Sequence, residues 1–131
     1  MISEPRWLSR QTLDAVHAEL IDEHGGAHGV RDGGLIESAL SRPLNRFAYA
    51  EGAVDLGTLA AAYAYGLVKN HGYVDGNKRV GLAAMLIFLR INGHRLRLTE
   101  VEAVTVIEEI ASGDVTEEQL AWLIRGRMAP V

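Results

Sequence analysis

Apolar residues recur three and four positions apart along most of the 131-residue chain, and capping residues cut that period into helix-sized blocks. Ser9 opens a helix to about His24 with Leu13, Val16, His17, Leu20 and Ile21 on one face, and Gly25-Gly26 ends it. Asp32 caps a short helix, GGLIESALSR, which is expected to stop before Pro43. Residues 44–54, LNRFAYAEGAV, have no helical period and read as an irregular or hairpin-like connection. Asp55 starts the next helix, where Leu56, Leu59, Ala60, Tyr63 and Leu67 keep helical spacing and the alanines permit close packing. The segment from about Asn77 to Asn92 is apolar nearly all round, the pattern of a buried central helix, and Asn92-Gly93 stops it. His94 to Leu98 reads as a short extended piece. Thr99 with Glu102, and Thr116 with Gln119, are capping-box pairs that open two further helices carrying Val101, Val104, Ile107 and Ile110, then Leu120, Leu123 and Ile124. The pattern predicts one all-α domain spanning 1–131, a bundle of about six helices without repeats or long linkers.

Composition narrows the function classes. The chain is 48% hydrophobic and 23% charged, enough apolar surface for a core. Its net charge of −4 argues against direct nucleic-acid binding, which usually carries a basic excess. The absence of cysteine excludes disulfides, thiolate catalysis and cysteine-ligated zinc. The start, MISEPRWLSR, has no apolar core of a secretory signal, and the longest uncharged apolar run, Val80 to Leu89, is too short for a bilayer. A cytoplasmic protein with no membrane association is expected.

Between the two most apolar helices lies the densest polar chemistry of the chain, His71-Gly-Tyr-Val-Asp75-Gly76-Asn77-Lys78-Arg79. Asp75-Gly76 is a turn signal, Gly72 frees the backbone where the preceding helix ends, and Asn77 sits where the next begins. A helix start offers unpaired N–H groups and a positive dipole end, a seat for an anion. Lys78 and Arg79 are badly placed for that dipole, and a nearby anion would explain them. Asp75 is a hard oxygen ligand of the kind that holds Mg2+ against phosphates, and His71 is placed to accept a proton near neutral pH. Base, metal ligand, phosphate seat and cations are the parts of phosphoryl transfer. The same residues also read as a helix C-terminal histidine, a tight turn, an N-cap and two solvated cations. His17, His24, His28 and His94 read as helix-face or loop histidines without metal-ligand spacing, Arg31-Asp32 as an ion pair or helix cap, and Arg90, Arg95 and Arg97 as solvated surface.

HGYVDGNKR resembles the core motif of the Fic/Doc family, and within it the Doc (death on curing) branch, whose pattern is approximately H-x-F-x-D-[AG]-N-K-R. GVRDGGLIESALSRP at 29–43 and FLRINGHRL at 88–96 are similar to the family's N-terminal segment and to the end of its central helix. The resemblance implies a Fic-fold helical bundle with the motif loop between two central helices. It implies that His71 activates a target hydroxyl and that Asp75 supports Mg2+ and catalysis. Gly76, Asn77, Lys78 and Arg79 then bind the nucleotide phosphates, and residues 44–54 correspond to the flap that lines up a target segment. Fic enzymes with G-N-G-R commonly transfer AMP from ATP. Lys78 here replaces that glycine and Leu82 the second arginine, which argues for the Doc-like pose. The resemblance thus implies a toxin of a type II toxin-antitoxin system, a kinase that moves the γ-phosphate of ATP to a Ser or Thr of a translation factor, elongation factor Tu, and halts translation. AMP transfer, or a non-catalytic partner-binding module, is the alternative. Three positions depart from the pattern. Tyr73 replaces the usual Phe and its hydroxyl needs a partner; Gly72 replaces Pro or an aliphatic residue and is expected to loosen His71; Gly76 is the Fic-like choice. The inhibitory pattern [ST]-x-x-x-E-[GN] of some Fic proteins has no match, which implies a separate antitoxin as partner.

Overall fold

The computed structural model describes residues 3–50, 52 and 54–131. Six helices account for most of it: α1 (Arg10–His24), α2 (Gly33–Ala48), α3 (Leu56–Asn70), α4 (Asn77–Ile91), α5 (Glu100–Ser112) and α6 (Glu117–Arg127). Two short strands, β1 (His94–Leu96) and β2 (Met128–Pro130), pair antiparallel with His94 opposite Pro130 and Leu96 opposite Met128. The expected all-α bundle and its helix count are present.

Local chemistry sets most boundaries. The side chains of Ser9, Asp32, Asp55, Thr99 and Thr116 each accept a backbone N–H in the first turn of the helix they precede, and the last two complete capping boxes with Glu102 and Gln119. Packing then decides the rest. Helix α3 is the one encased on all sides, lying against α2, α4, α5 and α6 with its alanines buried. Small residues allow α4 to approach closely: a Cβ on Gly81 would sit 2.7 Å from Val68 Cγ2 and 3.3 Å from the Ala64 carbonyl oxygen. Helix α4 buries Val80, Ala84, Met85, Phe88 and Leu89, but it is not buried all round as its composition suggested; Leu86 is exposed and Leu82 half-buried. The N-terminal segment closes the core. Trp7 stacks on Phe88 and meets Phe47 edge-on, while the Asn92 side chain bonds both the N–H and the carbonyl of Arg6.

Two expectations are corrected. Helix α2 does not stop before Pro43 but runs through it to Ala48, so residues 44–48 of the expected irregular connection are helical. Proline forfeits one helical hydrogen bond and crowds the preceding turn. Tertiary contacts outweigh that cost here: Pro43 is buried, Phe47 packs on Trp7, and Arg42 and Arg46 both bond the Glu117 carboxylate on α6. Of the segment 44–54 that the resemblance assigned to a flap, residues 44–48 are therefore helical, and Glu51 and Ala53 lie outside the described residues. The extended piece after α4 ends at Leu96, and its partner strand β2 had no signal in the sequence.

Candidate active site

The motif loop joins α3 to α4, and its backbone is set by contacts with the segment between α1 and α2. At the end of α3, His71 takes the left-handed conformation at φ 54° and ψ 50°, the one non-glycine residue with positive φ among those described. The Arg31 guanidinium holds it there, donating from Nε to the His71 carbonyl at 2.7 Å and from a terminal nitrogen to the Asn70 carbonyl at 3.2 Å. These are carbonyls that a helix end leaves without partners. Arg31 and Asp32 are thus both helix-end residues, as the sequence suggested, serving α3 and α2 respectively. The His71 ring is exposed and lines a cleft of about 640 Å³, within the roughly 300–1,000 Å³ usual for small-molecule sites.

Gly72 is needed for contact rather than for backbone freedom. A Cβ on it would lie 2.5 Å from Ile36 Cγ1 and 3.1 Å from the Ile36 nitrogen. Its carbonyl accepts from the N–H groups of Arg31 and Asp32 at 2.8 and 2.9 Å. The expectation that Gly72 loosens His71 is overturned: this glycine lets the loop seat directly on the start of α2. Tyr73 comes next, buried, with its hydroxyl donating to Asp14 Oδ1 at 2.6 Å. Burial first, and the neighbouring Asp14 carboxylate second, push its phenol well above the ordinary range. The hydroxyl that replaces a hydrogen of phenylalanine has its partner.

Asp75 and Asn77 divide their work differently from expectation. The Asp75 carboxylate accepts from the Ala27 N–H at 3.1 Å through Oδ2 and from the Gly76 N–H at 2.8 Å through Oδ1. These two bonds, with a smaller contribution from the Arg79 charge, hold its carboxyl below the usual carboxylate range. The N-cap of α4 is Gly76, in the left-handed region at φ 77°, and not Asn77. The Asn77 side chain is buried and faces the loop, accepting from the Tyr73 N–H and donating to the Tyr73 carbonyl, both at 3.0 Å. Its carboxamide is therefore committed to the loop rather than offered to phosphate. That is a correction to its expected role and leaves its backbone N–H, at the start of α4, as the part of Asn77 not committed to the loop.

The two first-turn cations have internal partners. Lys78 Nζ bonds both carboxylate oxygens of Glu108 on α5 at 3.0 Å, and an Arg79 terminal nitrogen donates to the Gly25 carbonyl at 2.9 Å. Both line the cleft, together with His71, Asp75, Leu82, Val104 and Glu108. The structure thus gathers all six motif residues, His71, Asp75, Gly76, Asn77, Lys78 and Arg79, on one wall. It adds Glu108 from the opposite side, a residue that no local signal in the sequence connects to the motif. The arrangement places an imidazole, an ionised carboxylate, two cations and a helix N-terminus around one opening.

Comparison with known proteins decides the family. Residues 7–89 match the Fic/DOC family. The chain belongs to that family. Over 120 residues it is 32% identical to Protein kinase doc of Escherichia phage P1, covering 92% of this chain and 94% of that one. Over 104 residues it is 36% identical to Toxin Doc of Mycolicibacterium smegmatis, covering 78% and 80%. The match to the Fic/DOC family begins before α1 and ends within α4, so it contains the motif loop and the Arg31–Asp32 segment that braces it. Helix α5, with Glu108, lies beyond it.

Proposed function

We propose that this Fic/DOC protein is a Doc-like toxin that transfers the γ-phosphate of ATP to a serine or threonine hydroxyl of a translation factor, elongation factor Tu, and so halts translation. The observation that carries the reading is the shared cleft: the His71 ring and the start of α4, with Lys78 and Arg79, open on the same space. The similarity to proteins named Protein kinase doc and Toxin Doc supports it. A separate antitoxin is the partner such a toxin requires.

In this reading the triphosphate lies against the first N–H groups of α4, with Arg79 and Lys78 neutralising its charge. Lys78 leaves Glu108 to do so, an exchange of one oxyanion for another. The His71 imidazole takes the proton of the incoming hydroxyl. The hydroxyl oxygen forms the new bond to the γ-phosphorus, the bond from that phosphorus to the β–γ bridging oxygen breaks, and ADP leaves. Asp75 fits a role in holding Mg2+: its carboxylate is ionised, lines the cleft, and each oxygen keeps acceptor capacity beyond the single N–H it accepts. Mg2+ bound there through phosphate oxygens would withdraw charge from the leaving diphosphate. Gly76 does not argue for AMP transfer, because its left-handed φ and the packing behind it explain the glycine without reference to nucleotide.

Incubation with α- and γ-labelled ATP and purified elongation factor Tu tests the proposal. Label is expected from the γ position in wild type and from neither position in His71→Ala. Label from the α position alone would establish AMP transfer instead. Toxicity that survives His71→Ala would mean a non-catalytic binding module.

A further inference from the structure

The mechanism proposed above uses groups that face the cleft and leaves unused a polar group packed behind the loop. His17 on α1 is 4% exposed. Its Nε2 lies 2.7 Å from the backbone carbonyl oxygen of Asp75. A carbonyl can only accept, so Nε2 carries the proton and donates it. The His17 ring lies nearly parallel to that of Tyr73, with centroids 3.8 Å apart and planes inclined by 11°. One helical turn away on α1, Asp14 accepts the Tyr73 hydroxyl and is itself bonded by Arg10 Nε at 2.9 Å. A single face of α1 therefore grips the motif loop at Tyr73 and at Asp75. Gly76 faces the same ring: a Cβ there would crowd Ile21 Cδ1 at 3.0 Å and come into van der Waals contact with His17 Nε2 at 3.5 Å. Leucine would fill this site at no polar cost, whereas a buried imidazole is retained at the expense of desolvation unless its bond does something.

We propose that His17 is a positioning residue for the reaction. Its bond to the Asp75 carbonyl fixes the peptide between Asp75 and Gly76, and with it the direction of the Asp75 carboxylate and the origin of α4, relative to His71. The inference rests on the reading of that cleft as the phosphoryl-transfer site.

Two substitutions separate positioning from packing. His17→Gln keeps an N–H donor near the position of Nε2 but loses the ring, and His17→Phe keeps the stack on Tyr73 but loses the donor. At a temperature well below both unfolding midpoints, His17→Phe is expected to lower kcat for γ-phosphoryl transfer about 10- to 100-fold with KM for the protein target unchanged. His17→Gln is expected to stay within about threefold, although its melting temperature falls further because the stack is gone. Amide hydrogen exchange gives a readout that needs no activity. The Ala27 and Gly76 N–H groups, which bond the Asp75 carboxylate, should exchange at least about tenfold faster in His17→Phe than in His17→Gln, with α6 amides as the internal reference. Wild-type kcat and wild-type exchange in His17→Phe would overturn the proposal, as would two variants whose kcat simply tracks their melting temperatures. Should His17→Phe fail to fold, the long-range 15N–1H spectrum of the wild type decides, since a neutral His17 protonated on Nδ1 rather than Nε2 is incompatible with this bond. If the wild type transfers no phosphate at all, the functional reading fails, and the exchange rates alone decide whether His17 holds the loop.

Discussion

Replacing Asn77 by alanine removes both hydrogen bonds that bracket the Tyr73 backbone and leaves a buried N–H and a buried carbonyl without partners. Each such group costs about 1–3 kcal/mol, so urea unfolding of Asn77→Ala should show a loss of roughly 2–6 kcal/mol, and the proposed transfer activity should fall as the loop loses its register. Asn77→Asp keeps an acceptor but no amide donor and should recover only part of that stability. Gly72→Ala makes a sharper point, because its Cβ would be driven to 2.5 Å from Ile36 Cγ1. Overpacking of this kind costs about 1–3 kcal/mol, and a variant as stable as wild type would contradict the close seat described above. The identity of the chemical groups at this seam was legible in the sequence: an imidazole, a carboxylate and two cations next to a helix start. The partner that each side chain faces was not. Nothing in the order of residues distinguishes an Asn77 turned toward phosphate from one turned back on Tyr73, since that choice depends on which face of the loop the rest of the fold covers.

At the scale of elements, the signals that could be read were local and the ones that could not were distant. Five helix starts were marked by a capping side chain within three residues of its target, an interaction the sequence displays directly. The continuation of α2 through Pro43 depends on Trp7 and Glu117, far away in the chain, and the strand pair depends on β2 arriving beside β1 after α6. Distance along the chain also decides how α5 and α6 are joined. Glu102 on α5 bonds Arg127 at the end of α6, and that guanidinium, then the Thr99 N–H, lowers the Glu102 carboxyl from 4.5 to about 2. A folded-state value below the unfolded one means that the unfolded chain binds the extra proton first as pH falls. The stabilisation is complete above about pH 4.5 and is lost progressively between there and about pH 2. Glu102→Gln should therefore unfold with a shallower acid dependence in that window than wild type. Because the pair is solvent-exposed, the two proteins should converge in high salt. An unchanged acid profile would mean that the link between α5 and α6 lies elsewhere.

For the molecule as a whole, the cleft exists because α5 folds back over the loop and brings Glu108 to Lys78, thirty residues away in sequence. An exposed pair of this kind contributes little to stability, on the order of 0–1 kcal/mol, so a triphosphate can displace the carboxylate at small cost. If the cleft binds Mg-ATP, the folded state gains RT ln(1 + [L]/Kd), about 2.7 kcal/mol at a hundredfold excess over Kd. For a chain of this size that corresponds to a rise in melting temperature of roughly 10 °C. Arg79→Ala should remove most of the rise. Lys78→Ala should do so at least as strongly, since it deletes a cation and also leaves the Glu108 charge uncompensated beside the phosphates. His71→Ala should keep the rise in full while abolishing transfer, because in this mechanism the imidazole acts on the incoming hydroxyl and not on the nucleotide. A chelator should reduce the rise in wild type if the cation is held between Asp75 and phosphate. The pattern across the three variants matters more than any single shift: a rise that persists in Arg79→Ala and Lys78→Ala but vanishes in His71→Ala would place the nucleotide on the wrong side of the loop and require the acceptor hydroxyl to enter where the phosphates have been assigned.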